Sequence, residues 1–565
     1  MLFQLPRTRL WQKRNIQMTG QTASPRIEKL LWFGGLALVL FCLALLLDGT
    51  LSKTRGGDGP SYLILARSLV EGYGYADINI PGAPPHTQYP PVFPLLLTPI
   101  YLAFGYNFLL SKLVIVASAV ASLFVVRAFF SGHGGKLYGT FIAVLTGTNF
   151  FFLFYTNEIQ SEIPYLFLSF LALLYASRHV PKAKAYQLFL ALPLLLALPY
   201  MTRMIGVTLV AAAFVTVLLA LRGREGLPAG LKKTILFGAA ASVPFVIWNL
   251  RNSIYSQDIA TYQSIFAQAD YYSLDSGSAG LGSLFARFSL NSGYYFECIY
   301  EMLALMPASE DGFWWAALIA VFLLVMAGFV KELFCRREMK DFYFLFYLGL
   351  LTVWPVYGKG DAQRYLVPLI PFLYHYLFSG FAFVWGGAAS LTGRTTIGRG
   401  AGFLALAMLL AVINTAGISY RSANPSGWNF DGVARILDGG LFRNVQSLGL
   451  DDLGANGLKK TMPCFYNYLL AADTIKGSLA DSDVLMARKP EIVYLLIDKP
   501  VVRFPYTSQA ELMESFIKEK GVSHILLDSC YVETDRYARK FVMSRPERVS
   551  VMVSDGQGTV ALKLQ

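Results

Sequence analysis

Charge is what this chain has least of. Only 15% of its 565 residues are Asp, Glu, Lys or Arg, against 55% hydrophobic residues, whereas soluble domains carry roughly 25% charged residues. A soluble protein of this length is several domains with charged skins, and this composition cannot supply them. The five cysteines (Cys42, Cys298, Cys335, Cys464, Cys530) fall in no metal-ligand spacing, which removes the structural zinc modules. Neither a repeat at solenoid period nor a low-complexity run is present, so arrays and tethers are excluded as well.

The charge that exists is unevenly placed. Residues 421–565 hold 35 charges in 145 positions, an ordinary soluble density, while the first 420 residues hold only 49. That contrast divides the chain into a membrane portion, 1–420, and a soluble appendage, 421–565. Apolar runs long enough for spans lie near 30–47, 106–126, 138–155, 163–177, 186–201, 204–221, 234–249, 313–330, 342–357, 365–387 and 401–419, about eleven by the 20-residue criterion. The expected fold is a polytopic α-helical membrane protein with a C-terminal soluble α/β domain.

The formal net charge of +12 raises the question of a nucleic-acid partner, and topology answers it. With the N-terminus inside, one side of the membrane receives 21 basic and 5 acidic residues, and the other side of the membrane portion receives 9 basic and 14 acidic. This is the positive-inside asymmetry, so no nucleic-acid patch is needed. It places the N-terminus in the cytoplasm and the C-terminal domain outside the plasma (inner) membrane. Residues 1–29 are too long and mixed for a signal-peptide n-region and no cleavage-type site follows, so the first run reads as an anchor. Cys464 and Cys530 both fall in the outward tail, where a disulfide is permitted.

No charge stands in the middle of an expected span, which argues against a polar transport path. The outward acids collect instead at helix ends and in the segments 48–105, 156–162 and 250–312, so chemistry is expected at the outer membrane boundary. Gly56-Gly57-Asp58-Gly59-Pro60-Ser61-Tyr62 opens an apolar stretch closed by Gly72, the pattern of a short capped helix. Asp58 then either caps that helix or remains an ionised carboxylate able to accept a proton from a hydroxyl, and the two roles are compatible. A second short helix follows Gln88-Tyr89-Pro90-Pro91, too short to span and expected on the surface or re-entrant.

Glu162, in Ser161-Glu162-Ile163-Pro164, precedes a span at a positive helix end; the nearby Glu158 is expected to face water. Arg203 (Thr202-Arg203-Met204) and Arg364 (Asp361-Ala362-Gln363-Arg364) lie outward against the positive-inside trend. Each either snorkels or pairs locally, or its guanidinium receives a phosphate.

Asp58 with Tyr62, Tyr89-Pro90-Pro91, Ser161-Glu162, Thr202-Arg203 and Gln363-Arg364-Tyr365-Leu366-Val367-Pro368, in that order, resemble the GT-C superfamily of integral membrane glycosyltransferases. That group uses lipid-phosphate sugars and includes the protein O-mannosyltransferases, the aminoarabinose transferase of lipid A and RgtA-to-E-like enzymes. The resemblance covers the membrane portion. It implies a polyprenyl-phosphate sugar donor, a glycan, lipid or protein acceptor, and an inverting single displacement with Asp58 as base. Glu162 is then a second catalytic acid, with Tyr62, His86, Tyr89, Arg203 and Arg364 as substrate-binding candidates. Two departures stand out. Asp58 is followed by Gly59 where the family often has a second acid, and Tyr89 stands where several members carry Lys. They leave the donor sugar and a possible divalent metal open. A lipid-linked-sugar flippase and a non-catalytic envelope scaffold are the competing classes.

Aromatic residues crowd the 250–312 segment (Tyr255, Tyr262, Phe266, Tyr271, Tyr272, Tyr294, Tyr295). They serve either as interfacial rings or as a flap over substrate. In the tail, strands are expected at 484–487, 501–504, 524–527, 548–553 and 559–564, alternating with helices at 465–479, 490–497, 509–520 and 535–542. This is a small α/β layer domain without a glycine-rich phosphate loop.

Overall fold

The structure, a computed structural model, describes residues 25–52, 57–255, 262–304, 312–356, 358–391, 405–414 and 440–565. The N-terminal segment before residue 25, with its four basic residues, expected in the cytoplasm, lies outside the described residues. So do Arg394, Arg399 and both ends of the 401–419 run.

Each apolar run contains a helix. Seven are long and apolar enough to cross a membrane: Pro25–Leu46, Phe108–Gly134, Glu162–Lys182, Met204–Glu225, Leu227–Tyr255, Trp315–Cys335 and Lys359–Trp385. The 138–155 run, expected as one straight span, is instead a bent pair, Lys136–Gly147 and Phe150–Thr156, with 61° between them. The break has a local cause. Asn149 caps the second helix, accepting from Phe151 N–H at 3.0 Å, while its amide donates to Met302 O at 2.6 Å and to the Tyr374 hydroxyl at 3.0 Å. The short helices Gln187–Tyr200, Met339–Val353 and Ala405–Asn414 occupy three further expected spans. The chain is thus a multi-pass α-helical membrane protein.

Inter-helix packing uses small residues where backbones cross. A Cβ on Gly328 would lie 1.9 Å from Tyr376 O, and one on Gly380 1.8 Å from Leu324 O, so the helices Gly312–Cys335 and Ile370–Leu391 touch main chain to main chain. Two buried ion pairs sit near helix ends: Lys112 with Asp48 at 2.7 Å, and Lys340 with Asp341 at 2.7 Å.

The 48–105 segment forms the helices Gly59–Val70 and Val92–Phe104, as the proline and glycine punctuation predicts. The second exposes Leu95, Leu96 and Leu102, an apolar face suited to lipid. The 250–312 segment is less of a loop than its polarity suggests. It contains Tyr262–Ala267 and the 24-residue amphipathic helix Leu281–Ala304, whose Arg287, Asn291, Glu297 and Glu301 lower its hydropathy below that of a span.

The tail carries a five-stranded sheet in the order β2-β1-β3-β5-β4. Its strands are β1 (Val484–Ala487), β2 (Val501–Arg503), β3 (Val522–Leu527), β4 (Val549–Ser554) and β5 (Val560–Leu564). β1 runs parallel to β2 and β3, and β5 is antiparallel to β3 and β4. Several ties seat this domain on the membrane bundle, among them the following. Val501 N–H donates to Asn79 O at 2.8 Å. Arg67 pairs with Asp498 at 2.5 Å. Asp275 accepts from Thr507 and Ser508, each at 2.8 Å. A disulfide, Cys464–Cys530, joins the helix Pro463–Ile475 to the loop after β3, which settles the question the sequence left open.

Candidate active site

The carboxylate of Asp58 stands at the N-terminus of Gly59–Val70, but it does not cap that helix. It accepts instead from Arg364 Nη2 at 2.6 Å and from the Tyr89 hydroxyl at 3.0 Å. The backbone carbonyl of Asp58 takes the first helical bond, from Tyr62 N–H at 3.2 Å, and Pro60 needs no partner there. Burial works against the charged form, yet Arg364, Tyr89 and Arg203 outweigh it and hold the Asp58 carboxyl below the usual carboxylate range.

Glu162, fully buried in the first turn of Glu162–His179, receives both Arg203 Nη1 and Arg364 Nε. The arginines neither snorkel nor pair with sequence neighbours. They are drawn from two other helix ends into one cluster, with Arg203 also donating to Ser161 Oγ at 3.0 Å. The Tyr62 hydroxyl meets the same Ser161 oxygen at 3.0 Å, and its ring packs against Tyr89 with centroids 5.0 Å apart. Six of the seven sequence candidates, all but His86, therefore converge.

His86 does not join them. A backbone N–H can only donate, so the Tyr89 N–H at 2.7 Å makes His86 Nε2 the acceptor and leaves the proton on Nδ1, facing Asp77 at 2.7 Å. With both nitrogens engaged, His86 supports the Tyr89 backbone and lines neither cavity described below. Glu158, expected to face water, is buried and accepts from the Ser52 hydroxyl at 2.6 Å.

Two cavities meet at Asp58. One, of about 360 Å³, is mainly apolar and is walled by Met204, Ile205, Val207, Phe245 and Leu350, with Arg203 also in its lining. The other, of about 740 Å³, is mainly polar and reaches up to the C-terminal domain, with Arg364, Glu158 and Asp361 on its bundle side. Asp58, Tyr89, Tyr262, Trp354 and Tyr365 line both. Glu162 lines neither; it holds the two arginines from behind.

The sequence left the aromatic segment open between interfacial rings and a flap, and it passed over the cavity residues of the tail. From the aromatic 250–312 segment, Tyr262 and Phe266 reach the apolar cavity, and Tyr262, Tyr271 and Tyr272 the polar one, whereas Tyr255, Tyr294 and Tyr295 reach neither. From the tail come Arg488, Lys489, Arg503 and Tyr506. A signal for the tail residues existed: ligands of parallel sheets bind beyond the carboxyl ends of strands, and Arg488-Lys489 directly follows β1.

A divalent metal does not fit this arrangement. Among the described residues no three His, Cys, Asp or Glu side chains converge as ligands, and both acids of the cluster are already engaged by guanidinium groups.

The helical bundle with its C-terminal sheet domain has the fold seen in GT-C membrane glycosyltransferases of known structure. Among solved structures, ArnT from Cupriavidus metallidurans bound to undecaprenyl phosphate shares that fold over 94% of this chain and 97% of its own, at TM-score 0.50 and 12% identity. The archaeal oligosaccharyltransferase AglB from Archaeoglobus fulgidus, in complex with an inhibitory peptide and a dolichol-phosphate, matches 94% of this chain and 74% of its own, at TM-score 0.49 and 10% identity. At such identities the likeness is one of fold. Neither a protein-family model nor a curated protein sequence matches the chain.

Proposed function

We propose that the protein transfers a sugar from a polyprenyl-phosphate donor to an acceptor hydroxyl at the outer face of the plasma (inner) membrane. The observation that carries this reading is the meeting of an apolar and a polar cavity at one carboxylate, Asp58. A lipid-phosphate sugar is amphiphilic: its prenyl chain suits the apolar cavity, its phosphate the arginines, and its sugar the polar side.

Each side chain then has a task. Arg203 and Arg364 stabilise charge developing on the departing lipid phosphate. Asp58 orients the acceptor hydroxyl for attack on the anomeric carbon. A carboxylate held low by Arg364 is a weak base, so it takes the proton late, after bond formation has made the hydroxyl acidic. A single displacement of this kind inverts the anomeric centre. Glu162 is a positioning residue: it fixes both guanidinium groups and touches neither cavity.

The fold neighbours support the donor class, since one was solved with undecaprenyl phosphate and another with a dolichol-phosphate. Transfer by the purified protein reconstituted in vesicles, with polyprenyl-phosphate sugars as donors, tests the reading. Product formation by the wild type, lost in Asp58→Asn at unchanged donor binding, is the expected result; no transfer from any of these donors sinks the reading, and a variant as fast as wild type sinks the role of Asp58. For the orientation, a reporter fused after Gln565 is expected outside, and a cytoplasmic reporter reverses the placement.

A further inference from the structure

We propose that the C-terminal domain carries an anion subsite, in which Arg488, Lys489 and Arg503 hold a phosphate or carboxylate of the acceptor across the polar cavity from Asp58. This deepens the reading above and rests on it for the word acceptor.

Position comes first. β1 and β2 run parallel, and their carboxyl ends deliver Arg488-Lys489 and Arg503 to the polar cavity, where parallel sheets characteristically bind ligands. None of the three lines the apolar cavity, whereas Arg203 lines only that one. Cations for a lipid phosphate are thus already present at the bundle, and the domain's cations serve a different ligand group.

Unmet hydrogen-bonding capacity comes second. Arg488 is 4% exposed and its Nε–H has no hydrogen-bond partner; the same nitrogen makes only a long ion pair, with Glu533 at 3.6 Å. The guanidinium is not loose: it stands 5.2, 5.2 and 4.8 Å from the ring centres of Tyr272, Tyr506 and Tyr531, an aromatic box that fixes its direction. Arg503 pairs with Glu491 at 2.7 Å but likewise keeps a buried, unpartnered Nε, and the buried Tyr506 hydroxyl has no partner either. Lys489 forms no ion pair among the described residues. Buried donors are ordinarily satisfied, and all four side chains line the polar cavity, where an oxyanion is the partner their chemistry suits.

The groups acting on Lys489 are Arg488, Arg503, Glu491 and Asp58. Burial, and then the two arginines, push its ammonium down to about 8. An anion at this point is therefore held more weakly as the solution becomes alkaline.

The test uses the full chain in nanodiscs, first saturated with undecaprenyl phosphate and then titrated with inorganic phosphate, glucuronate or glucose. Phosphate or glucuronate binding on the loaded protein, without glucose binding, is expected. At least a tenfold loss is expected in Arg488→Gln/Lys489→Gln, with normal loading of the lipid, and a smaller loss in Lys489→Gln alone. Lys489→Arg should retain affinity and lose the decline above about pH 8. Anion binding abolished by lipid loading, or unchanged in both Gln variants, overturns the subsite. Should wild type fail to take up undecaprenyl phosphate, the donor assignment falls, while anion binding to the unloaded protein still decides the subsite.

Discussion

Asp58 and Glu162 hold the same guanidinium. Arg364 turns its Nη2 to one carboxylate and its Nε to the other, and Arg203 adds a second contact to Glu162. The cluster is therefore a chain of alternating charge in which only Asp58 of the two acids faces the cavities. Such an arrangement keeps Asp58 ionised and aimed while leaving Glu162 a supporting task.

Replacing Asp58 by Asn preserves size and removes the proposed proton acceptor. Transfer should fall by about 10²–10⁴-fold, the range for a positioned acid or base, with donor KM little changed. Steady-state kinetics on reconstituted protein measures both. A drop confined to donor KM would instead make Asp58 a binding group.

Arg364→Gln changes the pH profile as well as the rate. In the wild type the Asp58 carboxyl lies below the usual carboxylate range because the arginines outweigh burial, so kcat/KM stays level through mildly acidic pH. Without Arg364 the burial effect remains and the attraction is reduced, so the Asp58 carboxyl rises. The acid limb of the profile must then move to higher pH, and an unmoved limb in the residual activity would exclude the coupling.

Glu162→Gln leaves two buried guanidinium groups without their common anion. Removing one partner of a buried pair costs about 3–5 kcal/mol, which thermal unfolding in detergent reads as a lowered midpoint. In the protein that still folds, kcat should fall and donor KM rise together, because Arg203 and Arg364 lose their hold on the phosphate both bound and departing. A pure kcat effect would make Glu162 a participant in the chemistry.

How far the sequence carried the reading depends on the range of the interaction. Local signals worked. Asp58-x-Pro60 and Gly72 marked Gly59–Val70, and the tail strands β1 to β5 and the helix Pro490–Ile497 were legible from periodicity and punctuation. Hydropathy found the spans but ran through the break after Gly147, where the polar run Thr146-Gly147-Thr148-Asn149 could have signalled it. It also passed over Leu281–Ala304, whose polar face reads as loop. Long-range choices were not legible. Nothing in the neighbourhood of Arg364 says that it pairs with Asp58 and Glu162, and nothing in Arg488-Lys489 says that the domain folds back over the membrane site. Those depend on which distant elements meet, as does the strand order.

The Cys464–Cys530 bridge closes a loop of 66 residues that contains β1, β2 and β3. Restricting that loop in the unfolded chain stabilises the domain by about 2–4 kcal/mol in the entropic account. The bridge also has a positional effect, since Cys530 neighbours Tyr531, which borders the Arg488 guanidinium, and Glu533, which lines the cavity. The double variant Cys464→Ser/Cys530→Ser should therefore show faster proteolysis of the C-terminal domain and a raised acceptor KM, with donor KM unchanged because, among the described residues, none of the tail lines the apolar cavity. Limited proteolysis and two-substrate kinetics check the two parts separately. An equal rise in both KM values would mean that the bridge supports the whole assembly rather than the cover of the polar cavity.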